Sequence, residues 1–328
     1  MTAVTCQSHT EELLRAMAGT RLLCVGDLML DRFVQGRVER ISPEAPIPVL
    51  SIEGEWEAPG GAGNVARNAA ALGVRAKLLG VVGEDEAGAR LSRLLAENGI
   101  AAELLVQPGQ RTTVKTRYVS GAHQLLRADQ DCREVDSATA GRLLALAEKS
   151  LSGADAVLLS DYGKGVLSRD LPQHLIASCK AAKRFIAVDP RGSDWSRYCG
   201  ADLVTPNRRE LVMAAGQPLP SRDAIAVAAR GLLERHNLGA VLVTLSEQGM
   251  LLVTSGDTTQ LPAMAREVAD VTGAGDTVIA TLALALSAGA TLTEAAVLAN
   301  HAAGIVVGKL GTATASAAEL LDSFKAEA

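Results

Sequence analysis

Aromatic residues are scarce: three phenylalanines, three tyrosines and two tryptophans make up only 2% of 328 residues. A folded core must therefore rely on Ala, Leu and Val, and no aromatic-studded patch offers a stacking platform for bases. Cysteine is also sparse. Cys6, Cys24, Cys132, Cys179 and Cys199 are odd in number and form no C-x-x-C pair, which predicts reduced thiols rather than a disulfide framework. His9, His123, His174, His236 and His301 show no metal-ligand spacing, so no zinc site is expected. No basic run occurs, and a net charge of −5 with a pI near 5.6 argues against a nucleic-acid partner. The most apolar helical stretch, 277–288, is too short to span a bilayer. The opening residues lack a basic segment followed by an apolar one, so a cytoplasmic protein without membrane contact is expected.

What is present is a large apolar fraction, 48% of the chain. That length and composition can bury one big domain with an accessory element. Apolar runs at 22–25, 77–82, 156–159, 184–188, 203–205 and 241–245 read as buried strands. Helical patterns at 62–72, 87–98, 137–150, 170–182, 221–236, 274–288 and 293–308 alternate with them. This alternation predicts an α/β fold, a doubly wound, mainly parallel sheet with helices on both faces. Two segments, about 32–55 and 101–128, break the rhythm with short alternating strands and are predicted to form a small β lid. With no internal repeat or linker, residues 1–328 read as a single domain.

The stretch Ala269-Asp-Val-Thr-Gly-Ala-Gly-Asp276-Thr277 carries the most chemistry. Gly273, Ala274 and Gly275 have almost no side-chain bulk, so their N–H groups can approach an anion at the positive end of the following helix. Asp276 stands at that helix mouth, where a carboxylate can take a proton from an attacking hydroxyl. The competing reading is an ordinary helix cap. Two other glycine loops fall short of known patterns. Gly304-Ile-Val-Val-Gly308-Lys309-Leu310 has three residues between its glycines, one fewer than a P-loop, and Leu in place of the Ser/Thr. Gly61-Ala-Gly63-Asn-Val-Ala66 follows Glu55-Trp-Glu-Ala-Pro59 rather than an apolar strand, against a dinucleotide fold.

The first strand runs into Gly26-Asp27-Leu-Met-Leu-Asp31, placing Asp31 just past a strand's carboxyl end, where open α/β sheets bind ligands. A carboxylate there can accept two hydrogen bonds from a diol, although Asp27 and Asp31 could equally be turn or cap residues. Gly60 and Gly61 let backbone approach a ring closely, and Asn64 offers both donor and acceptor. Thr205-Pro206-Asn207-Arg-Arg-Glu210 reads equally as a capping box.

Pro59-Gly-Gly-Ala-Gly-Asn-Val-Ala-Arg-Asn68 and Asp270-Val-Thr-Gly-Ala-Gly-Asp276 together, in this order, resemble the two signatures of the ribokinase-like (PfkB) carbohydrate kinases. The resemblance covers nearly the whole chain. It implies ATP as phosphoryl donor with Mg²⁺, sugar hydroxyls held by the first motif and Asp31, and an anion hole and base in the second. It assigns Asn207 and Glu210 to the metal and the nucleotide phosphates, Glu210 being the candidate metal residue. Thr244, Ser246 and Gly249 would line ribose and phosphates, and Asn300, Ala303, Gly304 and Val307 an adenine slot. Family lids often pair between protomers, so a homodimer through the lid is expected.

Arg37, Arg40, Lys115, Arg117 and Arg127 concentrate positive charge in the lid segments of an acidic protein. A solvated face is one explanation, and guanidinium groups reaching a distal sugar phosphate are another. Gly26-Asp-Leu-Met-Leu-Asp-Arg32, Arg40-Ile-Ser-Pro-Glu-Ala-Pro-Ile-Pro-Val49, Leu159-Ser-Asp-Tyr-Gly-Lys-Gly165 and Val188-Asp-Pro-Arg-Gly192 resemble the heptose-phosphate kinase branch of the family, active in lipopolysaccharide biosynthesis. That branch phosphorylates the anomeric hydroxyl of D-glycero-β-D-manno-heptose 7-phosphate. By the same resemblance, Asp161, Lys164, Asp189 and Arg191 become candidates for substrate or phosphate contact. Kinases of that branch are often fused to an adenylyltransferase, and a stand-alone kinase is expected here. The alternatives are another ribokinase-like kinase, acting on a fructose or tagatose phosphate or a nucleoside, and a non-catalytic sugar sensor.

Overall fold

A computed structural model describes residues 7–121, 123–132, 134–264 and 267–325. The chain opens with helix α1 (Gln7–Ala18), strand β1 (Arg21–Gly26), two long strands β2 (Leu28–Ile41) and β3 (Pro48–Gly61), helix α2 (Ala62–Ala71), β4 (Arg75–Gly83), α3 (Glu86–Glu97) and β5 (Ala101–Gln107). Next come β6 (Thr113–Ser120), β7 (His123–Gln130), α4 (Ser137–Leu151), β8 (Ala156–Ser160), α5 (Leu171–Ala181), β9 (Phe185–Asp189), β10 (Leu203–Val204), α6 (Arg208–Ala215) and α7 (Arg222–Arg235). The last third holds β11 (Ala240–Thr244), β12 (Met250–Val253), β13 (Thr258–Leu261), α8 (Ala274–Ser287), α9 (Leu292–Val307) and α10 (Ala317–Lys325).

Nine strands form one sheet in the order β13-β12-β11-β10-β9-β8-β1-β4-β5. All neighbours are parallel except β11–β12 and β12–β13. The runs Leu22–Val25, Val157–Leu159 and Val241–Val243 are buried on both sides, as a parallel sheet covered by helices requires. One apolar layer joins α1, α2, α8, α9 and α10 to the sheet, and the other joins α4, α5 and α7. Local chemistry starts these helices: Asp85, Asp136 and Ser221 cap α3, α4 and α7, and Thr291 with Glu294 forms a capping box on α9.

Four strands, β3-β2-β6-β7, form a second, smaller sheet. Only β2 and β6 run parallel in it. At its root Leu28–Leu30 and Phe33 are buried, while half of β3 and all of β7 are exposed. This is the lid, with one correction. Residues 101–107 were predicted to belong to it, yet β5 pairs with β4 at the edge of the main sheet. The reason is the crossover: α3 intervenes between β4 and β5, and a strand–helix–strand unit returns the chain parallel within the same sheet. The lid's second arm therefore starts only at Thr113.

Along the sheet the chain proceeds outward in both directions from the β1–β8 neighbours. At that reversal the strand ends splay apart and leave a crevice at their carboxyl ends. Asp27 and Asp31 follow β1 there, Asp161 and Tyr162 follow β8, and Asp189 ends β9.

Candidate active site

Helix α8 brings Asp276 to this crevice. Gly273 caps the helix in the left-handed region at φ 81°, and a Cβ there would sit 2.5 Å from the Asn64 side-chain nitrogen, so the turn requires glycine. Behind it, Val278–Ala285 are buried, which fixes the helix end rigidly. The Ala274 N–H bonds the Val271 carbonyl at 3.3 Å. The N–H groups of Gly275 and Asp276, next in the first turn, have no intrahelical acceptor, an arrangement that can bind an anion.

Asp276 is buried, and both its oxygens accept side-chain hydrogen bonds. Asn64 Nδ2 donates to Oδ2 at 2.8 Å and Tyr162 Oη to Oδ1 at 2.7 Å. Burial raises its pKa from the ordinary 3.8 to about 6; Asn64 and Tyr162 oppose the rise, the Asp31 charge adds to it, and Lys115 opposes it. A carboxylate so placed is ionised near neutrality yet basic enough to accept a proton. The expected contact of Asn64 with sugar is thus supplemented by a hold on Asp276. Arg67 Nη1 backs this arrangement, reaching the Thr312 carbonyl at 3.0 Å and Asn64 Oδ1 at 3.5 Å.

Asp31 lies in the same crevice, paired in the interior with Arg117 at 2.7 Å. A side chain on Gly60 would collide with the Asp31 carboxylate, and one on Gly61, at φ 58°, would meet the Asp27 carbonyl at 2.5 Å. These two glycines are thus required by neighbouring protein atoms. Lys115 lies 5.3 Å over the Tyr162 ring, and burial lowers its pKa. Lys164 turns instead to Asp131 at 2.6 Å.

Two acids expected to touch substrate are engaged elsewhere. Asp27 is fully buried and accepts the N–H groups of Tyr162, Lys164 and Val166 at 2.8–2.9 Å, so it moulds the 162–166 loop from beneath. Asp161, also buried, accepts from Gly163 N and Tyr198 Oη and pairs with Arg197 at 3.2 Å. Both hold backbone or neighbouring side chains because a buried carboxylate needs partners.

On the other side of the crevice Asn207 and Glu210 form a complete capping box, with Glu210 N donating to Asn207 Oδ1 at 2.9 Å and Asn207 N to Glu210 Oε2 at 3.0 Å. Glu210 Oε1 also pairs with Arg191 at 3.3 Å. Burial raises the Glu210 carboxyl, and burial together with the charges of Glu210, Asp276 and Asp161 holds Asp189 well above the usual carboxylate range. Thr244 N bonds the Pro206 carbonyl, Ser246 is exposed, and Gly249 closes the tight turn into β12 at φ 82°. Asn300, expected in an adenine slot, is buried and donates to the Pro262 carbonyl at 2.7 Å; Ala303 and Val307, farther along α9, are half-buried.

Tyr162 and Arg67 lay inside motifs noted from sequence, but only the fold shows what they touch. Among the described residues no group of three or more His, Cys, Asp or Glu could hold a metal ion, and no helix is long and apolar enough to cross a membrane. Cys24, Cys132, Cys179 and Cys199 are free thiols; Cys6 lies outside the described residues.

Comparison with known proteins agrees with this geometry. The profile described as "pfkB family carbohydrate kinase" matches residues 19–319. The chain is 53% identical over 319 residues to "Bifunctional protein HldE" of Paramagnetospirillum magneticum, covering 96% of this chain and 65% of that protein. It is 52% identical over 309 residues to the protein of the same name from Caulobacter vibrioides, covering 93% of this chain and 64% of that one. The chain thus spans about two thirds of the length of these relatives. In fold it is similar to phosphofructokinase-2 from Escherichia coli in complex with potassium, with a TM-score of 0.80 at 23% identity, covering 94% of this chain and 99% of the other. Ribokinase of Arabidopsis thaliana, complexed with ribose and ATP, superimposes with a TM-score of 0.74 at 22% identity, covering 93% of this chain and 99% of the other.

Proposed function

The chain belongs to the pfkB family of carbohydrate kinases, and on that premise we propose that it transfers the γ-phosphoryl group of ATP to the C1 hydroxyl of D-glycero-β-D-manno-heptose 7-phosphate, giving the 1,7-bisphosphate. The observation that carries this reading is Asp276, held by Asn64 at the N-terminus of α8 and facing the crevice that also contains Asp31. The choice of acceptor rests on the four heptose-branch motifs and on roughly half-identity to proteins named HldE.

The sugar lies against Asp31 and the Gly60–Gly61 backbone, its anomeric hydroxyl toward Asp276. Asp276 takes the hydroxyl proton as the oxygen attacks phosphorus. The first-turn N–H groups of α8 stabilise charge on the transferred group. Lys115 and Arg40 are the lid cations available for the distal phosphate, while Arg117 stays with Asp31 and Arg127 with Asp129. Closure of the lid keeps water from replacing the sugar as acceptor. Nucleotide would occupy the side bounded by Thr244–Gly249 and by Ala303 and Val307 of α9.

Mg²⁺ accompanying the nucleotide would neutralise phosphate charge. Glu210 and Asp189 would stand as outer partners of such an ion: burial and the neighbouring Glu210 hold the Asp189 carboxyl well above the usual range, a strain on its ionised form that a divalent cation would relieve. We also propose a homodimer through the lid, where Ile41, Ile52, Leu125 and Leu126 are exposed, and a cytoplasmic location.

ADP release measured against a panel of phosphosugars tests the reading. Heptose 7-phosphate should give the highest kcat/KM; preference for a fructose phosphate would move the assignment to another branch, and no ADP release with any sugar would favour a sensor.

A further inference from the structure

Tyr162 belongs to no helix or strand, yet its placement is tightly determined. The loop 162–166 is fastened by three N–H bonds to the buried Asp27 carboxylate. Gly163 and Gly165, at φ 66° and 100°, allow the chain to turn around that carboxylate. The result delivers a phenol from beyond β8 to the catalytic carboxylate on α8, 114 residues away, at 2.7 Å. The ring is confined as well: Lys115 of the lid lies 5.3 Å over it, and a Cβ on Gly61 would be 3.5 Å from its Cδ2.

We infer that Tyr162 is a positioning residue for the reaction, holding one oxygen of Asp276 and keeping that carboxylate ionised in a buried site. The inference rests on the reading of Asp276 as base. A neutral donor hydrogen-bonded to a carboxylate favours its charged form. Two such donors act here, Asn64 on one oxygen and Tyr162 on the other. The remaining groups that influence Asp276 pull in both directions: Asp31 on β2 raises its proton affinity and Lys115 on β6 lowers it. Asp189 at the end of β9 and Cys24 on β1 are coupled to Asp276 in turn, Cys24 being a thiol that burial keeps neutral. The phenol itself stays protonated, since burial and the Asp276 charge raise its pKa, so it acts as donor throughout the working range. Through this loop Asp27 influences the base without touching it.

Tyr162→Phe removes one oxygen atom and keeps the ring under Lys115. A lost hydrogen bond to a charged group corresponds to roughly one pH unit or more. The acid limb of kcat/KM, set by Asp276, should therefore move upward by about one unit, with most activity recovered on the alkaline side. A uniform loss of activity at every pH, with the limb unmoved, would overturn the inference and leave Tyr162 a packing residue. Site-specific 3-fluorotyrosine at position 162 keeps fold and hydroxyl but makes a stronger donor; it should shift the limb downward by a few tenths of a unit, and an unmoved limb would again count against the role. Asp276→Asn separates the two readings. If it is inactive while neither tyrosine variant moves the limb, only the role of Tyr162 falls; if it remains active, the base assignment itself falls.

Discussion

Replacing Asp276 by Asn should disable the enzyme and stabilise it at the same time. In the folded protein burial raises this carboxyl from 3.8 to about 6, whereas in the unfolded chain it ionises in the ordinary range. Between those values the folded state holds a proton that the unfolded state has released, so stability falls as pH rises through the window and stays lowered above it. A gap of about two units at 1.36 kcal/mol each amounts to roughly 3 kcal/mol at pH 8. Asn is similar in size, cannot ionise and keeps one acceptor for Asn64, losing about 1 kcal/mol from weakened hydrogen bonds. The variant should therefore be more stable than wild type by about 2 kcal/mol at pH 8, with the difference in unfolding free energy shifting by roughly 2 to 3 kcal/mol in favour of wild type by pH 4. Urea unfolding across that range measures it, and kcat at pH 8 should fall by roughly 10²–10⁴-fold. A variant less stable than wild type at pH 8, or one keeping more than a tenth of kcat, would refute the reasoning.

Arg117→Met should lower stability by about 3–5 kcal/mol because it leaves Asp31 buried without its partner, and adding Asp31→Asn should restore part of the loss in a double-mutant cycle. Glu210→Gln keeps a side chain able to serve the capping box but removes the charge next to Asp189, so the Mg²⁺ concentration for half-maximal rate should rise with sugar KM unchanged; an unaltered Mg²⁺ profile would leave Glu210 with capping alone. Ile52→Asp combined with Leu126→Asp should convert a lid-paired dimer to monomer by light scattering, and unchanged mass would place any interface elsewhere.

Much of the fold was legible because its strands are buried on both faces and therefore read as short apolar runs, as at 22–25 and 156–159. Segment 101–107 was misread as lid because an edge strand, with alternating exposure, has the same texture as a lid strand. Helices α1 and α10 were not anticipated, and neither were the short strands β12 and β13, too brief for periodicity to register. Asp276 and its glycine turn were legible because the chemistry is local. The Arg117–Asp31 pair and the Tyr162–Asp276 bond were not, since they join residues 86 and 114 positions apart through the pairing of β2 with β6 and the curl of one loop. The same limit explains Asp27 and Asp161: sequence placed carboxylates at strand ends, but only packing reveals that Asp27 accepts backbone N–H groups and Asp161 the Tyr198 hydroxyl, Arg197 and the Gly163 N–H.

The substrate assignment is tested most directly by following phosphorus NMR of a reaction containing Mg·ATP and D-glycero-β-D-manno-heptose 7-phosphate, beside the same sugar without its 7-phosphate. The expected result is a new anomeric phosphate signal and stoichiometric ADP from the 7-phosphate, with kcat/KM at least roughly a hundredfold above that of the unphosphorylated sugar, since each charge-assisted contact to the lost phosphate is worth about 1.5–3 kcal/mol. Equal rates with the two sugars, or phosphate appearing at a position other than C1, would contradict it.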